Sequence, residues 1–222
     1  MRHRTEYFPA IESTRLFESN EYRMNPEDIG KAYDQITHHW ENEDFNRDNG
    51  IEQHKRAISF VENRGKALDV GCGCTGRFID LLLEENFTPE GMDVSEKMIS
   101  LARQRHPDIV FHHKDVSTLD ITETYDFITA WDSIWHVPID SQENVLKKLI
   151  ASLNSQGVLI FSCGGLENKA QHTDDYMGQT VYYSTLGING FLSLFIKLGV
   201  LCRHLEFDQY PESHAFFIVQ KL

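Results

Sequence analysis

Residues 67–78 read ALDVGCGCTGRF: a short apolar run, glycines at Gly71, Gly73 and Gly76, and the opening of a helical pattern. A strand-to-helix turn this tight needs backbone angles that a Cβ disfavours, and bare backbone lets a ligand lie against it. The spacing satisfies the G-x-G-x-x-G pattern of nucleotide-cofactor crevices. Asp69 stands two residues before the first glycine, at the carboxyl end of the strand, where a side chain is expected to face the crevice. A diphosphate is disfavoured beside that carboxylate, whereas a cationic amino group would gain a charge-assisted hydrogen bond from it. A merely structural connection between strand and helix could use the same glycines; the neighbouring acids argue against it.

Outward from this turn, strand-like and helical runs alternate, which predicts a parallel, doubly wound α/β sheet with helices on both faces. Strands are expected at 66–70, 89–93, 109–112, 125–131 and 157–163, and helices at 51–62, 76–86, 95–105 and 141–153, with Ser95 and Ser141 as N-caps. Near the end, LCRHLEF and HAFFIVQK are two β-rich runs separated by a short turn with Pro211, a spacing that favours an antiparallel hairpin. Upstream, Asn25-Pro26 is a helix entry, and Ile29, Tyr33, Ile36 and Trp40 recur at helical spacing toward Phe45. Residues 1–25 show little periodicity and read as an extended leader. The expected division is therefore 1–49, leader and cap helix, and 50–222, one cofactor-binding domain.

The glycine stretch with its downstream acids resembles the class I S-adenosylmethionine-dependent methyltransferases, most clearly over residues 50–165. The resemblance implies a Rossmann-like fold in which Asp69, Gly71, Cys72 and Gly73 of the D-V-G-C-G turn receive the methionine half of the cofactor, with Gly76 a further cofactor-binding residue. It implies further that Asp93, followed by Val94, binds the ribose hydroxyls, and that Asp115, followed by Val116, approaches the adenine. An N-terminal helix over the pocket with a Y-D pair, here Tyr33-Asp34, and a terminal antiparallel strand pair are also similar to that family. The cofactor so implied is S-adenosylmethionine, with S-adenosylhomocysteine as product. Asp93 could instead serve as a helix-entry residue, and Asp115 as an ordinary turn residue.

The stretch AWDSIWHVPID follows the fourth strand, so Trp131, Asp132 and His136 are candidates to face cofactor or acceptor, and Asp132 could accept from the cofactor's amino group or merely begin a turn. His136 resembles the family's His before an apolar residue and Pro, and could take a proton from an acceptor hydroxyl or amine. It could equally be a structural histidine bonding the loop. Residues 164–188, a long polar stretch with Tyr176, Tyr182 and Tyr183, are expected to form a functional lid or to hold a further element; Tyr33, Tyr182 and Tyr183 are the candidate acceptor contacts, although the tyrosines of the stretch could equally pack it onto the N-terminal helix.

Composition narrows the partners. At 222 residues and 41% apolar content the chain suits one domain with a modest addition, and a formal charge of −13 disfavours nucleic acid. No run reaches the roughly 18 apolar residues of a membrane span, and the N-terminus lacks an apolar secretory core, so a cytoplasmic protein is expected. The four cysteines read as small core residues, and neither His38-His39 nor His112-His113 has metal-ligand spacing, so no metal is expected. The expected activity is methyl transfer from S-adenosylmethionine to an oxygen or nitrogen of a small molecule. The competing readings are an NAD(P)-dependent oxidoreductase, against which stand Asp69, the hairpin and the lack of a Tyr-x-x-x-Lys pair, and a non-catalytic S-adenosylmethionine-binding regulator.

Overall fold

The computed structural model describes residues 24–118 and 120–222; most of the expected leader lies outside the described residues. Five strands, β1 (Lys66–Val70), β2 (Thr88–Asp93), β3 (Val110–His113), β4 (Tyr125–Ala130) and β5 (Leu153–Gly164), pair in parallel. The hairpin β8 (Leu201–Glu206) and β9 (His214–Gln220) completes a seven-stranded sheet of order β3-β2-β1-β4-β5-β9-β8, in which β9 runs antiparallel to both neighbours. The order reverses at β1, the topological switch point where ligands of open α/β sheets bind.

Alternating side chains send each central strand into two cores. Ala67, Phe127, Val158, Ile160, Phe216 and Ile218 meet α3 (Ile51–Ile58) and α4 (Arg77–Glu84). On the opposite face Leu68, Ile128, Leu159, Phe161, Phe217 and Val219 meet α6 (Ile139–Ala151) and α7 (Ile188–Leu198). Helix α5 (Glu96–Arg105) starts at the expected N-cap, where Ser95 Oγ accepts from Met98 N at 3.1 Å.

Several expectations need correction. The first helical run breaks at Thr37 into α1 (Pro26–Ile36) and a one-turn α2 (His38–Glu41). Helix α3 stops at Ile58, beyond which the Phe60 and Val61 N–H groups tighten to i→i−3 bonds with the Ala57 and Ile58 carbonyls and the Arg64 guanidinium caps the Ile58 and Val61 carbonyls. Helix α6 begins before Ser141: the Ile139 N–H donates to the Tyr182 hydroxyl at 3.1 Å, a cap from a residue far along the chain. The stretch 164–188 holds a further element, the second of the two expectations for it. It folds into an antiparallel pair, β6 (Ala170–Asp174) and β7 (Val181–Thr185), and leads into the unforeseen α7. Three of the cysteines are buried or partly buried, but Cys202 on the edge strand β8 is exposed.

Candidate active site

The β1–α4 turn hangs from the end of β2. The Gly71 and Cys72 N–H groups both donate to the Met92 carbonyl, at 2.8 and 3.0 Å. Gly71 and Gly73 have φ of 72° and 56°, angles that suit glycine. A Cβ on Gly71 would stand 2.3 Å from Ser133 Cβ, whereas a Cβ on Gly73 would meet no atom within 4 Å. The first glycine lets the β4 loop pack close, and the second leaves the cleft open. Gly76, the N-cap of α4, has a different task, since a Cβ there would collide with His106 and Arg105.

Around this turn lies a cleft of about 1100 Å³, part of it open to solvent. Along the sheet order, Asp93, Val94, Asp115 and Val116 line it on the β2–β3 side of the turn, and Trp131, Asp132 and His136 on the β4 side. Asp93 is fixed by the Gly73 N–H on Oδ2 and the Ser95 N–H on Oδ1, both at 2.9 Å. Burial raises its pKa, and these backbone donors oppose the rise. Asp115 is oriented by Ser117, whose N–H and hydroxyl donate to its two oxygens at 2.7 and 2.6 Å.

Asp69 does not line the cleft. Period-two alternation puts it on the Ala67 face of β1, under α3 and α4, where it is 2% exposed. Burial pushes its carboxyl up to about 7, with Arg77 opposing and Asp93 adding to the shift. A group so placed is a poor candidate for the ammonium contact expected of it.

Helix α1 roofs the cleft. Gly30 sits so close to Val94 that a Cβ would come within 2.4 Å of its carbonyl oxygen. Asp34 Oδ1 accepts from Ser95 Oγ at 2.6 Å and Lys97 N at 3.0 Å, tying the roof to the start of α5. Tyr33 then faces His136 across the cleft, its hydroxyl 2.6 Å from Nε2. His136 lies in a 3₁₀ turn, Ile134–His136. Its Nδ1 is 2.8 Å from the Tyr182 carbonyl, which can only accept, so Nδ1 carries the proton. Nε2 is therefore the acceptor, taking the Trp135 indole N–H at 3.0 Å and the Tyr33 hydroxyl. Burial lowers the His136 pKa to about 4, although the Tyr182 carbonyl opposes this, so the ring is neutral at pH 7.

Tyr182 and Tyr183 are placed behind this wall rather than in it. Tyr182 is fully buried, with its hydroxyl donating to Gln171 Oε1 at 2.7 Å, and Tyr183 stacks on His172 with ring centroids 5.1 Å apart. The expectation of direct acceptor contact by these two is thus corrected, since β7 turns them into the protein.

Several lining residues escaped sequence reasoning. Trp40 packs against Tyr33 at 5.3 Å between ring centroids, and the Arg77 guanidinium lies over Phe78 and Phe45 at 4.4 and 5.2 Å. Arg77 had a local signal, since it directly follows the third glycine, and Trp40 shares the helical spacing of Tyr33; Phe45 comes from the loop after α2, which no pattern aims at the cleft. Trp131 is 3% exposed, and its indole N–H has no hydrogen-bond partner. Among the described residues no cluster of His, Cys, Asp and Glu could hold a metal, and no helix is long and apolar enough to cross a membrane.

A family model described as a methyltransferase domain matches residues 67–157, the span from β1 into β5. Over that span the chain is similar to methyltransferases. It is 26% identical over 140 residues to a dTDP-3-amino-3,6-dideoxy-alpha-D-glucopyranose N,N-dimethyltransferase of Streptomyces fradiae, covering 60% of this chain and 52% of that one. It is 31% identical over 108 residues to a malonyl-[acyl-carrier protein] O-methyltransferase of Bacillus cereus, covering 46% and 38%. The chain thus spans about half the length, or less, of these curated relatives. In fold it is similar to the magnesium protoporphyrin IX methyltransferase of Synechocystis, solved with S-adenosylmethionine bound: TM-score 0.67, 14% identity, 92% of this chain and 100% of that one.

Proposed function

We propose that this protein is a class I S-adenosylmethionine-dependent methyltransferase that transfers the methyl group of its cofactor to an oxygen or nitrogen of a small molecule. The observation that carries the reading is the convergence of the open Gly73 turn, Asp93 and Asp115 on one cleft, with Tyr33 and His136 facing each other at its β4 side. The residues present fit the cofactor. Each Asp93 oxygen accepts one backbone N–H and keeps a lone pair for a ribose hydroxyl, and Asp115 would approach the adenine. Cys72, Val94 and Val116 would pack against it.

When bound, the cofactor supplies an electrophilic methyl on a sulfonium whose positive charge disappears on transfer. The protein's part is mainly positioning and exclusion of water, and positioning alone can be worth roughly 7 kcal/mol or more. The roof of Tyr33, Trp40 and Phe45 closes over the acceptor side. His136 is the candidate base. Its neutral ring offers Nε2, whose single lone pair is shared by the Trp135 indole N–H and the Tyr33 hydroxyl, so an acceptor would reach it by displacing the Tyr33 hydroxyl. Both acceptor atoms occur among the relatives' names, nitrogen of an amino sugar and oxygen of a malonyl-acyl carrier protein.

Thermal shift with S-adenosylmethionine, S-adenosylhomocysteine and NADH in parallel tests the reading. Stabilisation by the first two and not by NADH is expected, since a ligand at 100 times its dissociation constant adds about 2.7 kcal/mol. Stabilisation by NADH alone would overturn it in favour of an oxidoreductase.

A further inference from the structure

Asp132 lines the cleft in constrained surroundings. It has φ of 52°, a left-handed backbone that a non-glycine residue keeps only where its neighbours hold it. Ser162 on β5 does so in both directions: its Oγ accepts the Asp132 N–H at 2.7 Å and donates to Asp132 Oδ1 at 3.1 Å. From the C-terminal hairpin, His214 Nε2 reaches the same Oδ1 at 3.3 Å, and His214 Nδ1 reaches Asp208 Oδ1 at 2.5 Å. Gln53 Nε2 donates to the other Asp208 oxygen at 2.9 Å.

Both His214 nitrogens face carboxylate oxygens, which only accept while ionised, so both carry protons and the ring is a cation. Burial alone would lower its pKa; the bonds and charges of Asp132 and Asp208 more than reverse this and raise it to about 9. Two carboxylates against one imidazolium leave one negative charge. Oδ1 is occupied by Ser162 and His214, whereas among the described residues Oδ2 has Arg77 Nη2 at 4.0 Å, an ion pair without a hydrogen bond. Arg77 is itself engaged with the rings of Phe78 and Phe45. The next residue, Ser133, lies against Gly71, so Asp132 flanks the turn that would take the amino-acid half of the cofactor.

We propose that Ser162, His214 and Asp208 are positioning residues that hold Asp132 so that its Oδ2 receives the α-ammonium of the cofactor's amino-acid half. This rests on the proposed function and, of the two acids the sequence offered for that contact, assigns it to Asp132 and not to Asp69. The antiparallel hairpin then completes the binding site as well as the sheet edge.

Isothermal titration of the wild type, His214→Gln and Asp208→Asn with S-adenosylhomocysteine and with 5′-methylthioadenosine, which shares the nucleoside thioether but lacks the amino-acid end, tests the inference. Each variant should bind S-adenosylhomocysteine about tenfold more weakly, bind methylthioadenosine within twofold of the wild type, and Asp208→Glu should recover part of the loss. Equal weakening of both ligands, or no change in either, would overturn it. Should the buried His214→Gln chain fail to fold, Asp208→Asn carries the same comparison. A wild type that binds neither thioether would instead overturn the proposed function, a pattern distinct from loss of ligand discrimination.

Discussion

At the scale of single residues, the acids at the strand ends divide by which way the pleat turns them. Asp93 ends β2 with both oxygens anchored on backbone N–H groups and its carboxylate lining the cleft, so its removal strips two charge-assisted bonds from any ribose held there. Such bonds are worth about 1.5 kcal/mol each at the low end, or together roughly a hundredfold in affinity. Asp93→Ala should therefore weaken S-adenosylhomocysteine binding about a hundredfold by calorimetry, and an affinity within twofold of the wild type would remove this residue from the site. His136 calls for the opposite pattern. With its ring neutral and Nε2 turned to Tyr33, His136→Ala should lower turnover on any acceptor by about a hundredfold while the S-adenosylhomocysteine dissociation constant stays within threefold. A matching loss of cofactor affinity would make His136 a structural residue. Asp93 and Asp115 could be located from the sequence because the end of a strand points to the cleft whatever its neighbours do. The side on which Asp69 falls could not: β1 is apolar on both faces, so its alternation leaves no trace in ALDV.

At the scale of elements, local signals were legible and tertiary ones were not. The β1–α4 turn, the Asn25 and Ser95 caps and the terminal hairpin are set by residues a few positions apart. The start of α6 depends on Tyr182, Arg64 caps the end of α3, and β6 pairs with β7 through half-buried polar residues that lack strand patterning. Helix α7 was obscured by Gly187 and Gly190, which read as breakers. The docking of α1 offers a test in which propensity and packing have opposite signs. Alanine is favoured over glycine in a helix by up to about 1 kcal/mol, so Gly30→Ala should stabilise α1 in isolation. In the folded protein its Cβ would come within 2.4 Å of the Val94 carbonyl, a backbone atom with little room to yield. We expect faster amide hydrogen exchange across Pro26–Ile36 and several-fold weaker S-adenosylhomocysteine binding. Slower exchange with unchanged affinity would mean that the roof does not bear on the β2–α5 loop.

At the scale of the whole molecule, the buried histidines tie stability to pH, and the windows follow from the direction of each shift. His54 and His136 are held neutral, at about 3 and about 4, mainly by burial, so their contribution is present above about 6.5 and lost as the pH falls through those values. Asp69, raised to about 7, acts in the reverse sense over the acid range, leaving the acid limb a balance of opposed contributions. The alkaline limb is cleaner. His214, raised to about 9 between Asp132 and Asp208 with Arg77 beyond, contributes stability that is full below about 6.5 and is lost as the pH rises through 9. Asp69 has completed its own loss near the start of that window. The span of roughly 2.5 pH units corresponds to about 3 kcal/mol, and for a chain of this size to a fall in melting temperature of roughly 6–12 °C. Thermal melts between pH 6.5 and 9.5 should show this decline in the wild type and a nearly flat profile in His214→Gln, which is less stable at neutral pH but has no imidazolium to lose. Parallel slopes in the two proteins would mean that the hairpin histidine is not held as a cation and that the decline has another source.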